Sequence, residues 1–226
     1  MIYDSLKAMF ELGRPIVEDS KNPYLHFAYK NKLDNYRLIT SGELLVRGKN
    51  LDIPTYAIQF ILFHSEVLMI ANIIADKVLS ITLRTIGQEK EFMKVGTTKS
   101  MFYGLGKLDN NFKYGTPLLL VEGHLDRDVM ATIYPYTLGI MTSHLSKSQI
   151  ELLTSLTDKF MLMFDNDEAG IKGQQMAKYQ LKGYKVMEIK HEVDLKDAGD
   201  IAKLDITDHI RALNTIEYYG LQIALF

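Results

Sequence analysis

The stretch that decides the fold is Leu118-Leu119-Leu120-Val121-Glu122-Gly123, in which a short apolar run ends on a carboxylate and a glycine. A continuous apolar run of this length is typical of a strand that is buried on both faces of a sheet. The same arrangement recurs at residues 160–164, which Asp165 follows directly. Each run therefore predicts a buried strand with an acidic residue at its carboxyl end.

Strand-like and helix-like segments alternate outward from these two runs. The predicted strands are 118–121, 136–140, 160–164 and 185–189, and the predicted helices are 124–133, 146–157 and 168–182. Ser146 is a capping residue at the start of the second helix, and Gly183 closes the third. The alternation predicts an α/β fold with a mostly parallel sheet that is flanked by helices.

The chain before this region is less regular. Residues 1–50 combine helical and loop-like patterns, and residues 66–95 carry strand-like runs, which together predict a smaller α+β domain. A polar, turn-rich stretch at 109–117 marks the change of pattern. We therefore expect an α+β domain at 1–114, an α/β domain at 115–204 and a C-terminal helical extension at 205–226.

Composition limits the classes of function. The chain has 226 residues, a net charge of -2 and no cysteine, so disulfides and Cys-ligated zinc are excluded within it. The apolar stretch 58–74 contains His64, Glu66 and Asn72, so it predicts a buried helix or strand rather than a membrane span. Without an overall basic charge, simple coating of nucleic acid is not indicated. We expect a cytoplasmic protein, in its own cell or in an infected host.

Three acidic clusters each follow a predicted strand: Glu122, then Asp165 and Asp167, then Asp197 and Asp200. Ligands of open parallel sheets bind outside the carboxyl ends of the strands, so the carboxylates are expected to converge. Converging carboxylates repel one another unless a cation neutralises them, and oxygen ligands without His or Cys select Mg²⁺ or Mn²⁺. Any one of these acids alone would also suit a helix cap or a solvated loop. Together they predict a metal site for phosphoryl transfer.

Three segments resemble the motifs of the TOPRIM domain in DnaG-type DNA primases. They are residues 120–126 (LVEGHLD), 163–170 (MFDNDEAG) and 194–200 (DLKDAGD). Residues 138–153 resemble the segment between the first two motifs, and residues 100–105 (SMFYGL) resemble the step that precedes the domain. The resemblance covers roughly residues 78–204 and is most specific in its second half.

The resemblance implies a DNA-directed RNA polymerase of the primase type, active in DNA replication with Mg²⁺ or Mn²⁺ as cofactor. It implies that Glu122, Asp165 and Asp167 are catalytic and that these three, with Asp197 and Asp200, bind the metal. It also implies basic residues that face the template and the nucleotide, for each of which a solvated surface position is the alternative. The candidates are Arg84, Lys90, Lys94, Lys99 and Lys196.

The partners that the resemblance implies are single-stranded DNA, ribonucleoside triphosphates and a replicative helicase. The zinc ribbon of the family is missing, so we expect a phage or mobile-element primase, or one with a separate zinc-ribbon subunit. Two alternatives stay open: a TOPRIM metal-dependent nuclease, and a non-catalytic replisome component derived from a primase. The long segment ahead of the first motif and the Tyr103-Gly104-Leu105 step favour the primase.

Overall fold

The computed structural model describes residues 2–18, 22–86, 91–97 and 101–189. The chain divides into two compact units, Met1–Thr98 and Lys99–Phe226. Each unit has its own sheet and its own hydrophobic core.

The first unit is an antiparallel sheet with helices, which confirms the α+β prediction. Its helices are α1 (Ile2–Leu12), α2 (Pro23–Lys30), α3 (Ser41–Arg47) and α4 (Thr55–His64). Its strands are β1 (Arg14–Pro15), β2 (Tyr36–Thr40), β3 (Glu66–Ile74), β4 (Lys77–Thr85) and β5 (Phe92–Gly96). The five strands lie in the sheet in chain order, each antiparallel to the next. Neighbours in sequence are neighbours in space here, so short connections suffice.

The core of the first unit lies between this sheet and the helices α1 and α4. Met9 of α1 and Ile61 of α4 pack with Met69, Ile81 and Leu83 of the strands. Successive side chains of a strand point to opposite faces, so Ile81 and Leu83 share the core face of β4.

The apolar stretch 58–74 forms the end of α4 and all of β3. Ser65 separates the two elements with a φ of 62°, which turns the chain from helix into strand. The prediction of a buried helix or strand is confirmed, since each part supplies residues to the core. Among the described residues, no helix is long and apolar enough to cross a membrane.

The second unit alternates strands and helices as predicted. Its strands are β6 (Leu118–Val121), β7 (Thr137–Gly139), β8 (Lys159–Leu162) and β9 (Lys185–Glu188). Its helices are α5 (His124–Ala131), α6 (Lys147–Leu156) and α7 (Glu168–Gln180), preceded by a 3-10 turn at Leu105–Lys107. The ends differ from the predicted ones by a few residues, as is usual for element boundaries.

The four strands of the second unit form a parallel sheet in the order β7-β6-β8-β9. The prediction of a parallel sheet is therefore confirmed. Leu118, Leu120, Phe160 and Leu162 are fully buried in the core of this unit. A strand needs such a continuous apolar run when both of its faces are covered.

The helix caps of this unit follow local sequence rules. Ser146 accepts a hydrogen bond from the Gln149 N–H, and Gln149 Oε1 accepts one from the Ser146 N–H, which is a complete capping box. Gly183 has a φ of +98°, a left-handed conformation that glycine adopts without strain. The helix α7 itself ends earlier than predicted, at Gln180.

The division between the units falls at Thr98, whereas we expected a boundary at residue 114. Tyr103 accounts for the difference, because its N–H donates to the Gly139 carbonyl and its carbonyl accepts from the Gly139 N–H. These two bonds attach the segment ahead of β6 to the sheet of the second unit. The predicted helical extension at 205–226 lies outside the described residues.

Candidate metal centre

The carboxyl ends of β6 and β8 bring the first two acidic clusters together. These strands are parallel neighbours, with Leu118 level with Phe160 and Leu120 level with Leu162. The same register places Glu122 beside the residues that follow β8. The Asp165 N–H donates to Glu122 Oε1 over 3.1 Å, so the two positions are in direct contact.

Glu122 lies in an environment that disfavours its charge. Burial raises the pKa of Glu122, and the nearby charge of Asp167 raises it further, while the hydrogen bond from the Asp165 N–H lowers it. A divalent cation would offset both the burial and the repulsion. The donor set and its electrostatics therefore suit a hard cation such as Mg²⁺ or Mn²⁺.

Asp167 begins helix α7. It is the N-cap residue, and its Oδ1 accepts a hydrogen bond of 3.0 Å from the Gly170 N–H. This is the structural role that a lone acid after a strand commonly has. The cap fixes the direction of the Asp167 side chain, and the charge of that side chain is close enough to Glu122 to raise the pKa of Glu122.

Gly170, in the first turn of α7, packs tightly against Asp165 and Glu122. A Cβ atom there would overlap the Asp165 carbonyl oxygen and would lie 2.8 Å from Glu122 Oε1. The backbone of Asp165 cannot yield easily, since it is held by Glu122. Only glycine therefore allows the first turn of α7 to sit against this loop.

Gly170→Ala is expected to destabilise the second unit by about 1–3 kcal/mol, the usual cost of an overpacked site. It is also expected to weaken Mn²⁺ binding, because the loop between Asp165 and Asp167 must move. Thermal unfolding and a Mn²⁺ titration measure the two effects. The control is Gly42→Ala, where a new Cβ meets only Thr40 Oγ1 at 3.9 Å. The prediction is wrong if the two variants behave alike.

Gln174 supports the same loop, and we did not predict it from the sequence. Its Oε1 accepts the Phe164 N–H over 3.0 Å, next to the Asp165 N–H that Glu122 accepts. Two consecutive backbone amides are thus held by side chains from different elements. No local sequence pattern indicates this pairing, because Gln174 lies a helical turn beyond the motif at 163–170.

Asp126 is a second residue that we did not single out. Its Oδ2 accepts the Gly123 N–H over 2.9 Å, which closes the turn between β6 and the first turn of α5. An acid three residues after a helix start is a recognisable capping signal. The contact fixes the backbone that directly follows Glu122.

A buried polar network joins α5 to the segment ahead of β6. The Tyr103 hydroxyl donates to Asp128 Oδ2 over 2.5 Å, and Arg127 Nη1 donates to Asp128 Oδ1 over 2.8 Å. Arg127 Nε also donates to the Thr137 carbonyl over 3.1 Å. Asp128 comes three residues after the buried Leu125, so both lie on the same face of α5. This spacing is the feature of the sequence that could have indicated a buried charge.

The described residues contain no group of three or more His, Cys, Asp or Glu side chains arranged to hold a metal ion. Glu122 and Asp167 each commit one oxygen to a backbone amide. Asp197 and Asp200, which were expected to complete the site, lie outside the described residues, as does Lys196. The five-carboxylate metal site remains a prediction.

Two of the expected basic residues lie in the first unit. Arg84 is buried on β4, with its guanidinium 5.3 Å from the centre of the Phe92 ring. Lys94 on β5 is exposed to solvent, yet neighbouring atoms partly desolvate its ammonium group and lower its pKa. Cross-strand pairing of Arg84 with Phe92 and of Thr82 with Lys94 places both cations on the sheet face opposite Leu83. Lys90 and Lys99 lie outside the described residues.

Glu122→Gln is expected to stabilise the metal-free protein at neutral pH, by up to about 1 kcal/mol. A raised pKa means that the folded state binds the proton more tightly, so the stability that protonation gives is lost as pH rises through that pKa. The amide has no such loss and keeps an oxygen for the Asp165 N–H. Melting temperatures in EDTA should show a gain that shrinks as pH falls towards the ordinary value of 4.5.

The control for this prediction is Glu151→Gln on the exposed surface of α6, which should change the melting temperature little at any pH. A Glu122→Gln protein that is less stable than the wild type at every pH would contradict the prediction.

Comparison with known proteins agrees with this geometry. Residues 119–202 match the model of a family described as Toprim-like. No curated protein matches the sequence significantly.

Several solved structures share the fold. A DNA primase domain from Pseudomonas aeruginosa has a TM-score of 0.69 at 18% identity, with 100% of this chain and 83% of that chain covered. The Aquifex aeolicus primase, with its zinc-binding and RNA polymerase domains, has a TM-score of 0.67 at 18% identity, with 95% and 60% covered.

The Escherichia coli primase catalytic core has a TM-score of 0.65 at 14% identity, with 95% of this chain and 80% of that chain covered. At such identities the likeness shows the fold. Residues 119–202 are therefore similar to the Toprim-like family, and the chain has the fold of the DnaG primase catalytic cores.

Proposed function

We propose that this chain is a metal-dependent nucleotidyltransferase of the primase type, which joins ribonucleotides on a single-stranded DNA template. The contact between Glu122 and the Asp165 N–H at the ends of two neighbouring parallel strands carries the proposal. The shared fold supports it. A DnaG primase catalytic domain bound to single-stranded DNA, 15% identical with a TM-score of 0.65, supports the class of template.

Glu122, Asp165 and Asp167 are the residues that would hold Mg²⁺ or Mn²⁺, with Asp197 and Asp200 completing the set. A bound divalent ion supplies positive charge that offsets the charge developing during phosphoryl transfer. Glu122 Oε1 is engaged by the Asp165 N–H, so we assign Glu122 Oε2 to the metal or to the proton of the attacking hydroxyl.

The proposed reaction joins a 3′-hydroxyl to the α-phosphorus of a ribonucleoside triphosphate. The new P–O bond forms as the bond to pyrophosphate breaks, and the hydroxyl proton passes to Glu122 or to solvent. The raised pKa of Glu122 makes its carboxylate a stronger proton acceptor than an exposed glutamate.

Arg84 and Lys94 remain our candidates for contacts with template and nucleotide, together with Lys90, Lys99 and Lys196. Both described cations lie on one face of one sheet, where they would act on phosphates as fixed positive charges. A replicative helicase, a separate zinc-ribbon subunit, a cytoplasmic location and a phage origin likewise remain predictions. The Aquifex aeolicus structure contains both zinc-binding and RNA polymerase domains, which is the reason to supply a zinc-ribbon protein in the assay.

The test is a primer-synthesis assay on single-stranded DNA with ribonucleoside triphosphates and Mg²⁺ or Mn²⁺. Short RNA products that need both metal and template are the expected result. Metal-dependent cleavage of the template without synthesis would establish the nuclease alternative instead. If neither reaction occurs with helicase and zinc-ribbon proteins added, and alanine at Asp165 and Asp167 leaves cellular function intact, the protein is a non-catalytic replication component.

A further inference from the structure

A pocket of about 450 Å³ lies at the far end of helix α7, where Tyr179, Lys182 and Tyr184 line its wall. Helix α7 starts beside Asp165 and spans 13 residues, so its last turn is about 20 Å from the acidic cluster. The pocket is thus at the amino-terminal edge of the sheet, opposite the candidate metal centre. No side chain can reach both sites.

The two tyrosines present their rings to solvent although each is held in place. Tyr179 is 65% exposed and Tyr184 is 40% exposed. The Lys182 ammonium lies 4.9 Å from the centre of the Tyr179 ring, and the Tyr184 ring meets the buried Phe160 ring edge-on at 6.0 Å. Such anchored, exposed rings provide a stacking surface at little cost in side-chain entropy.

The charge around the pocket is positive. Lys178 and Lys182 line it. Lys178 forms an ion pair with Glu188 at 3.2 Å, and Lys182 adds a further positive charge to the wall. This local excess contrasts with the net charge of -2 of the whole chain. The pocket therefore combines aromatic faces with cations, which suits a ligand that has flat rings and phosphates.

We infer that this pocket binds single-stranded nucleic acid, through base stacking on Tyr179 and Tyr184 and a phosphate contact from Lys182. A protein partner with acidic residues would satisfy the lysines but would leave the tyrosine faces without their matching rings. A duplex would satisfy the phosphates but hides its base faces. The site needs no metal and does not depend on the proposed catalytic reaction.

The experiment measures binding of a fluorescein-labelled oligothymidylate of about 12 nucleotides in EDTA, by fluorescence anisotropy. Tyr179→Ala is expected to weaken binding about tenfold, the usual effect of losing one stacked base. Lys182→Ala is expected to lower the slope of log affinity against log salt by about 0.7. The affinity for an oligouridylate of equal length shows whether the pocket prefers RNA or DNA.

Two variants outside the pocket serve as matched controls: Tyr114→Ala, which removes another exposed tyrosine, and Lys147→Ala, which removes another exposed lysine. Both should bind like the wild type. A 5-iodouracil oligonucleotide should cross-link to Tyr179 or Tyr184, and Asp165→Ala should not prevent it.

Equal affinity of Tyr179→Ala and Tyr114→Ala, with cross-links only elsewhere, would overturn the inference. Polyglutamate that competes as well as the oligonucleotide would instead assign the pocket to an acidic protein partner. Failure of the primer-synthesis assay would leave this result unchanged, because the binding is measured without metal.

Discussion

Asp165→Ala is expected to lower the rate of primer synthesis at least about a thousandfold. A catalytic metal contributes several kcal/mol to phosphoryl transfer, and about 4 kcal/mol corresponds to three orders of magnitude in rate. Asp165 lies where the loop after β8 meets Glu122, so its loss removes a carboxylate from the centre of the proposed site. Single-turnover synthesis at saturating Mg²⁺ or Mn²⁺ measures the effect.

The matched control is Asn166→Ala, which changes the exposed residue between the two aspartates without removing a carboxylate. It should keep most of the activity and the melting temperature of the wild type. Mn²⁺ titration then separates loss of metal from loss of fold. If Asp165→Ala retains activity within tenfold of Asn166→Ala, Asp165 is not a catalytic ligand and the proposed site is wrong.

Asp128→Ala is expected to destabilise the second unit by about 3–5 kcal/mol, the usual cost of breaking a buried ion pair. The side chains of Asp128 and Arg127 are 1% and 4% exposed, so alanine would leave a guanidinium buried without its counter-ion. The Tyr103 hydroxyl would lose its acceptor as well. At roughly 2–4 °C per kcal/mol for a chain of this size, the melting temperature should fall by about 10 °C.

The control is Glu151→Ala, which breaks the exposed pair of Lys147 and Glu151 in α6 and should cost less than about 1 kcal/mol. Tyr103→Phe removes one hydrogen bond of the network and should cost about 1–3 kcal/mol. If Asp128→Ala is no more destabilising than Glu151→Ala, the network does not hold the segment at Tyr103.

Simultaneous replacement of Arg127 and Asp128 by leucine tests the cause of the loss. Buried ion pairs can often be replaced by apolar residues at little cost, because no charge is then left unpaired. We expect the double variant to be more stable than Asp128→Ala. A double variant as unstable as the single one would mean that shape, rather than charge, decides the packing of α5.

The sequence by itself determined the elements of the second unit. Apolar runs such as 118–121 and the capping residue Ser146 are local features, so they predicted strands and helix starts that the structure contains. They also predicted that an acid follows β6 and β8. The parallel arrangement followed from the alternation of strands and helices.

Only the tertiary structure decided which strand ends meet. The sheet order β7-β6-β8-β9 is not the order of the chain, and it makes β6 and β8 neighbours although β7 lies between them in sequence. That adjacency brings Glu122 to the Asp165 N–H and partly buries its carboxylate. The pairing of Tyr103 with Asp128 and the support from Gln174 likewise join residues that are distant in sequence.

The physical reason is the range of the interactions. Hydrophobic periodicity and capping depend on residues within a few positions of one another, so they can be read along the chain. Strand order depends on how the helices cover the two faces of the sheet. The burial and the pKa of a side chain such as Glu122 depend on the tertiary contacts that keep water away from it. The acids Glu122 and Asp165 were therefore visible in the sequence, whereas the contact between them required the fold.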